Sequence, residues 1–131
     1  MKTRCVLWIC LGLVGAAPLA AHHSFSAEYD ANKPVDLEGV VTKVEWANPH
    51  VYFYIDVKDA AGATANWACE TSGPNALIRQ GWKRDSMKVG DRVTVKGYLA
   101  KDGSKTADAR QVRLADGRRI FAGSADDGGP K

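Results

Sequence analysis

From Val35 onward, apolar and polar residues alternate with the two-residue period of half-buried strands, and that pattern sets out most of the architecture. Val35 to Trp46 (VDLEGVVTKVEW) alternates until it slips between Val40 and Val41, which predicts a first strand bent or bulged at Gly39. His50 to Val57 (HVYFYIDV) is the clearest strand. It places Val51, Phe53, Ile55 and Val57 on one face and His50, Tyr52, Tyr54 and Asp56 on the other. After a loop from Lys58 to Ala63, Asn66 to Thr71 predicts a third strand, with Trp67 and Cys69 sharing a face and Glu70 opposed to them.

The period then changes. Ser72 to Gly81 (SGPNALIRQG) carries helix signals: Ser72 or Asn75 to cap, Pro74 for the first turn and Gly81 for the end, so one short helix is expected near 75 to 81. Trp82 and Met87 should pack back on the sheet while Lys83, Arg84 and Asp85 face water. Arg92 to Tyr98 predicts a fourth strand with Val93 and Val95 inward and Gly97 at a curve, and residues 107 to 114 a fifth. A small hairpin around Asp116-Gly117 ends near Phe121.

Strand, strand, strand, helix, strand, strand is the order of the OB-fold. The fold expected is therefore mostly β, a small OB-fold-like five-stranded barrel over residues 35–121 with one short helix between strands 3 and 4. An immunoglobulin-like sandwich needs about seven strands, more than this pattern supplies. Residues 22–34 (HHSFSAEYDANKP) read as an extended N-terminal arm, and residues 122–131 (AGSADDGGPK) as a disordered tail.

The first residues change the picture of where this domain works. Lys2 and Arg4, an apolar stretch from Cys5 to Ala17 and the small-residue end Ala16-Ala17-Pro18-Leu19-Ala20-Ala21 form the three regions of a signal peptide, residues 1–21. The apolar run is too short for a comfortable span, so the expectation is a periplasmic protein with no membrane span after processing. Removing Lys2 and Arg4 from a chain of formal charge +3 leaves +1 and no basic stripe, which argues against nucleic acid as a partner. Cys5 and Cys10 leave as well. Cys69 alone remains, no intramolecular disulfide can form, and its strand face predicts a buried, unreactive thiol.

Several pieces of this chain carry a family likeness: HHSF at the mature start, Trp46-Ala-Asn-Pro-His50 with the following Val-Tyr-Phe-Tyr, Gly73-Pro-Asn-Ala-Leu77, Gly81-Trp82, Val89-Gly-Asp91 and Asp102-Gly-Ser. With these the chain resembles the exported bacterial family called domain of unknown function 6152, across essentially the whole mature domain. The resemblance implies secretion and a small β-domain. It lends no activity and no catalytic residue.

The candidate chemistry lies at the processed end. Cleavage after Ala21 would leave His22 first, so that its amine and ring nitrogen chelate copper(II) with a third nitrogen from His23 or His50. Cleavage after Ala20 would leave Ala-His-His, in which the amine, two backbone amides and the His23 ring form a square-planar set. Either set is nitrogen-rich and tetragonal, which suits copper(II). Around His50, the aromatics Trp46, Tyr52 and Tyr54 offer a second candidate, a ligand-binding face on one of the loops that OB-folds use. The competing reading is that the arm covers this face with Phe25 and Tyr29. The basic residues Arg79, Lys83 and Arg84 read as solvated surface.

No Ser/His/Asp order, phosphate-cradling glycine loop or Cys-x-x-Cys pair is present, so an enzyme is not expected. The function expected is an exported, non-enzymatic periplasmic binding module for a small ligand or metal ion, with copper(II) at the His-rich N-terminus as its sharpest form. The alternative is an accessory protein whose aromatic face holds a periplasmic protein or a small apolar ligand.

Overall fold

Strand β1 (Tyr29–Glu45) is long enough to serve two neighbours at once, and this makes a barrel of the sheet. In the computed structural model, which describes residues 24–124 and 127–130, its first part pairs with β4 (Arg92–Ala100) and its last part with β2 (Tyr52–Lys58), both antiparallel. The pairings overlap at Gly39 and Val40, and Gly39 stands opposite both Val57 and Val93. A Cβ at Gly39 would lie 2.7 Å from the Asp56 carbonyl oxygen. The glycine is thus needed for close approach, and the register shift expected there falls between Val41 and Lys43 instead.

β2 continues into β3 (Thr64–Glu70), and β4 pairs with β5 (Thr106–Arg113), which takes the short β6 (Arg119–Phe121) on its other side. A parallel pairing of β3 with β5 closes a ring of five strands, with β6 as an addition. This is the OB-like barrel expected, with its helix between strands 3 and 4. That helix runs Pro74–Arg79, the proline in its first turn, and ends two residues earlier than the predicted 81.

Inside the ring, Val41, Phe53, Ile55, Cys69, Val93, Val95 and Val112 are fully buried, and Leu77 of the helix plugs one end. Trp82 and Met87 join this core as the pattern implied, and Trp82 Nε1 donates to the Phe121 carbonyl at 3.0 Å. Ala107 and Ala109 are the small inward residues of β5.

Both termini depart from expectation. The arm is not merely extended: Phe25–Glu28 forms one helical turn, and residues 29–34 belong to β1. Nor is the described part of the tail loose, since Ala122 and Gly123 are buried and the Phe25 N–H donates to the Asp127 carbonyl at 3.0 Å. The cause is a second, smaller apolar cluster of Phe25, Tyr29 and Ala100, with Tyr98 packed beside it, on the outside of the barrel. Through Phe25 it joins the first and the last described segments, the Phe25 N–H bonding Asp127.

Candidate functional site

The side chains beneath that second cluster come from one level of the barrel. Tyr52 on β2 is the register partner of Glu70 on β3, Glu70 of Asp108 on β5, and Asp108 of Tyr98 on β4. Strand alternation sends Cys69 and Ala107 inward, so Glu70 and Asp108 project outward, where the arm and tail cover them. Both are buried, at 8% and 6% exposure.

Glu70 collects the donors. Tyr29 from the arm and Tyr52 both donate phenol protons to its Oε2, the latter at 2.6 Å. Burial, then the bond to Glu70, pushes both phenols above the ordinary tyrosine range. The other oxygen, Oε1, lies 3.4 Å from His50 Nδ1.

His50 is set by the backbone. Its Nδ1 is 2.9 Å from the Thr71 carbonyl, and because a carbonyl can only accept, Nδ1 carries the proton. With Nδ1 as the donor, the corresponding imidazole tautomer has its lone pair on Nε2, the form that second-shell bonds impose on metal-binding histidines. Position is fixed by reciprocal bonds, Val51 N–H to Ser72 and Thr71 N–H to Val51, and by Gly73, where a Cβ would come 2.6 Å from the Pro49 carbonyl oxygen. The segments Asn48-Pro49-His50 and Gly73-Pro-Asn, far apart in sequence, are therefore in contact.

Asp108 and Arg110 complete the floor. Arg110 is buried, with Nε 2.5 Å from Asp108 Oδ2, and its Nη1 and Nη2 donate to the two oxygens of Asp127 at 3.2 and 2.9 Å. The Nε contact brings opposite charges together without the alignment of a hydrogen bond, since neither atom has such a partner. Desolvation, opposed by Arg110 and assisted by Asp127, pushes the Asp108 carboxyl up to about 6. The guanidinium also lies 4.8 Å from the Phe25 ring centre, which ties the tail, the barrel and the arm through one residue.

A cavity of about 20 Å³ remains among Ser24, Phe25, Tyr29, His50, Glu70 and Asp108. It is large enough for one water-sized occupant. Ser24, the first described residue, sits at its wall.

The candidate residues from the sequence divide. His50 lines this cavity, whereas His22 and His23 lie outside the described residues. Tyr52 binds Glu70 as above. Tyr54 turns to Glu45 at 2.9 Å, beneath Lys43, and Trp46 packs against the main core, so the three aromatics are tied to separate partners. Tyr29 shares the Glu70 carboxylate with Tyr52, and Phe25 stacks on Tyr29. Glu70 was legible only as pointing away from Cys69. Asp108, Arg110 and Asp127 gave no signal beyond charged residues alternating with alanines in Ala107-Asp-Ala-Arg110.

Among the described residues no three His, Cys, Asp or Glu side chains form a metal-holding group by themselves. No helix there is long and apolar enough to cross a membrane.

The chain matches the model of a family of unknown function, DUF6152, over residues 11–109. No curated protein matches it. Among solved structures it is similar to the N-terminal domain of the PriB protein from Thermoanaerobacter tencongensis, at 22% identity and a TM-score of 0.45, covering 63% of this chain and 96% of that one.

Proposed function

The chain belongs to the DUF6152 family, and we propose that this member is an exported, non-enzymatic binding module that takes copper(II) at its processed N-terminus, with His50 as a further nitrogen donor. One observation carries the reading: Ser24, the residue after the His22-His23 pair, lines the same cavity as His50. His23 is bonded to Ser24, so their Cα atoms are about 3.8 Å apart, and His22 is at most one residue further. Chain connectivity therefore keeps an amine and two imidazoles within a few residues of the wall that also carries a third imidazole, His50.

Support also comes from the donor types. Imidazole and amine nitrogens in a tetragonal set favour copper(II), and the Thr71 carbonyl holds the His50 ring in the tautomer that a metal needs. The docked arm reduces the ordering that binding would otherwise require, because Phe25 and Tyr29 are already packed.

The test is a copper(II) titration of protein with its native processed N-terminus. With His22 first, His22→Ala should abolish tight binding and His50→Ala should weaken it by about tenfold or more. With Ala21 first, His23→Ala should abolish it. Adding one residue before the native start should disrupt a site that uses the amine, and binding no tighter than about micromolar in the native protein would end the copper reading.

A further inference from the structure

We infer that the outer face of β4, β5 and β6 is a binding site for a small phosphate monoester, gripped by two arginines that the strand register sets directly opposite each other. This site is separate from the pocket beside His50 and does not rest on the copper reading.

Arg113 on β5 and Arg119 on β6 are register partners, and both are exposed. The Leu114 N–H donates to the Arg118 carbonyl at 2.8 Å, one step outside this pair. Arg113 and Arg119 therefore face each other as a non-hydrogen-bonded pair, the kind whose side chains stand closer, with Cα atoms about 4.5 Å apart. Like charges so placed are destabilising. The backbone fixes them there, because Val112 and Ile120 are buried on the opposite face and the Phe121 carbonyl accepts from Trp82. Every other cation of these strands and of the turn between β5 and β6 has a carboxylate: Lys96 has Asp36 at 3.0 Å, Arg92 has Glu38 at 3.1 Å, Arg118 has Asp116 at 2.7 Å, and Arg110 has Asp108 and Asp127. Arg113 has only the Thr94 hydroxyl, to which its Nη2 donates at 3.3 Å, and the Arg119 side chain has no partner among the described residues. Two positive charges are left without a counter-charge.

The shape of the face is a second, independent observation. Arg113 and Arg119 line a groove of about 250 Å³ with Thr94, Lys96, Gln111 and Val112, and no carboxylate is among its lining residues. One water takes roughly 30 Å³ in the liquid, so the groove has room for a phosphate and part of the group it is attached to. Two guanidinium forks, the Thr94 hydroxyl and the Gln111 amide offer more donors than the two oxygens of a carboxylate accept. A phosphate monoester presents three strong acceptor oxygens and up to two negative charges, and arginine meets it with paired bonds. Two spare charges match one such dianion and fall far short of the stripe that a polynucleotide needs. The exposed large apolar side chains, Ile78 and Val89, are not among the lining residues, where a membrane-seated site would use them.

Phenyl phosphate titrated into isotope-labelled protein at about pH 8, where the monoester is a dianion, tests this by amide NMR at constant ionic strength. Saturable shifts should centre on Thr94, Gln111, Arg113 and Arg119. Arg113→Gln and Arg119→Gln should each weaken binding by about tenfold, as loss of a charge-assisted bond implies, while Lys83→Gln, a cation removed elsewhere, should leave it within about twofold. Dimethyl phosphate, a monoanionic diester, should bind at least about tenfold more weakly. Arg119→Gln relieves the repulsion, so in urea without ligand it should be at least as stable as wild type, which separates lost binding from lost folding. Absence of saturable shifts, shifts centred elsewhere, binding that survives both arginine variants, or equal binding of the diester overturns the inference. Capture on phosphatidic acid vesicles with no binding of phenyl phosphate overturns it as well, in favour of a membrane surface.

Discussion

Gly97 on β4 passes directly against the backbone of Asp108 on β5, so that a Cβ at position 97 would overlap the Asp108 carbonyl oxygen. The register of the two strands shifts between Lys96 and Gly97, which lets β4 curve around the barrel at that point. The obstruction is backbone, and no side-chain rotation can relieve it. Gly97→Ala should therefore cost about 3 kcal/mol or more in urea unfolding, at the upper end for overpacking. A loss below about 1 kcal/mol would mean that the strands can separate locally at little cost.

Burial gives Asp108 a pH signature with an unusual sign. Its carboxyl titrates near 6 in the folded protein against an ordinary value of 3.8, so between these the native state holds a proton that the unfolded chain has lost. Its contribution is fully present below about pH 4 and disappears as pH rises through about 6, a change on the order of 3 kcal/mol. Urea unfolding of metal-free wild type and Asp108→Asn at pH 4 and pH 7 isolates it. Wild type should lose more stability than the variant over that interval, and parallel losses would contradict the shift.

Cys69 should be nearly inert in the native state. It is fully buried inside the barrel, and desolvation pushes its thiol up to about 12, so almost no thiolate exists at neutral pH. Labelling with a thiol reagent should be slow until denaturant is added, then stoichiometric. Fast native labelling would place the β3 register one residue out, with Glu70 inside.

The inward faces were readable because a strand's side chains alternate whatever its partners are. Phe53, Ile55, Val93 and Val95 are core residues as their spacing required, and Cys69 follows Trp67 to the same face. The helix was equally local, with Pro74 and Gly81 marking it before any tertiary contact. Gly39 does mark a special point in β1, a close approach rather than the bulge expected there. A glycine in a strand signals either a bulge or a close approach, and only the neighbouring Asp56 carbonyl decides between them.

The outward polar residues were a different matter. Glu70 and Asp108 are 38 positions apart and become neighbours solely because β3 and β5 close the ring in parallel, a pairing that no sequence period specifies. For the same reason the tail resembled a disordered segment: its glycines and aspartates bury nothing until Arg110 offers Asp127 a bidentate partner and Phe25 lies on the guanidinium. Local period thus determined which residues form the barrel and which of them face inward. Closure of that barrel, a long-range event set by strand curvature and register, decided which charged side chains share the pocket beside Ser24 and His50.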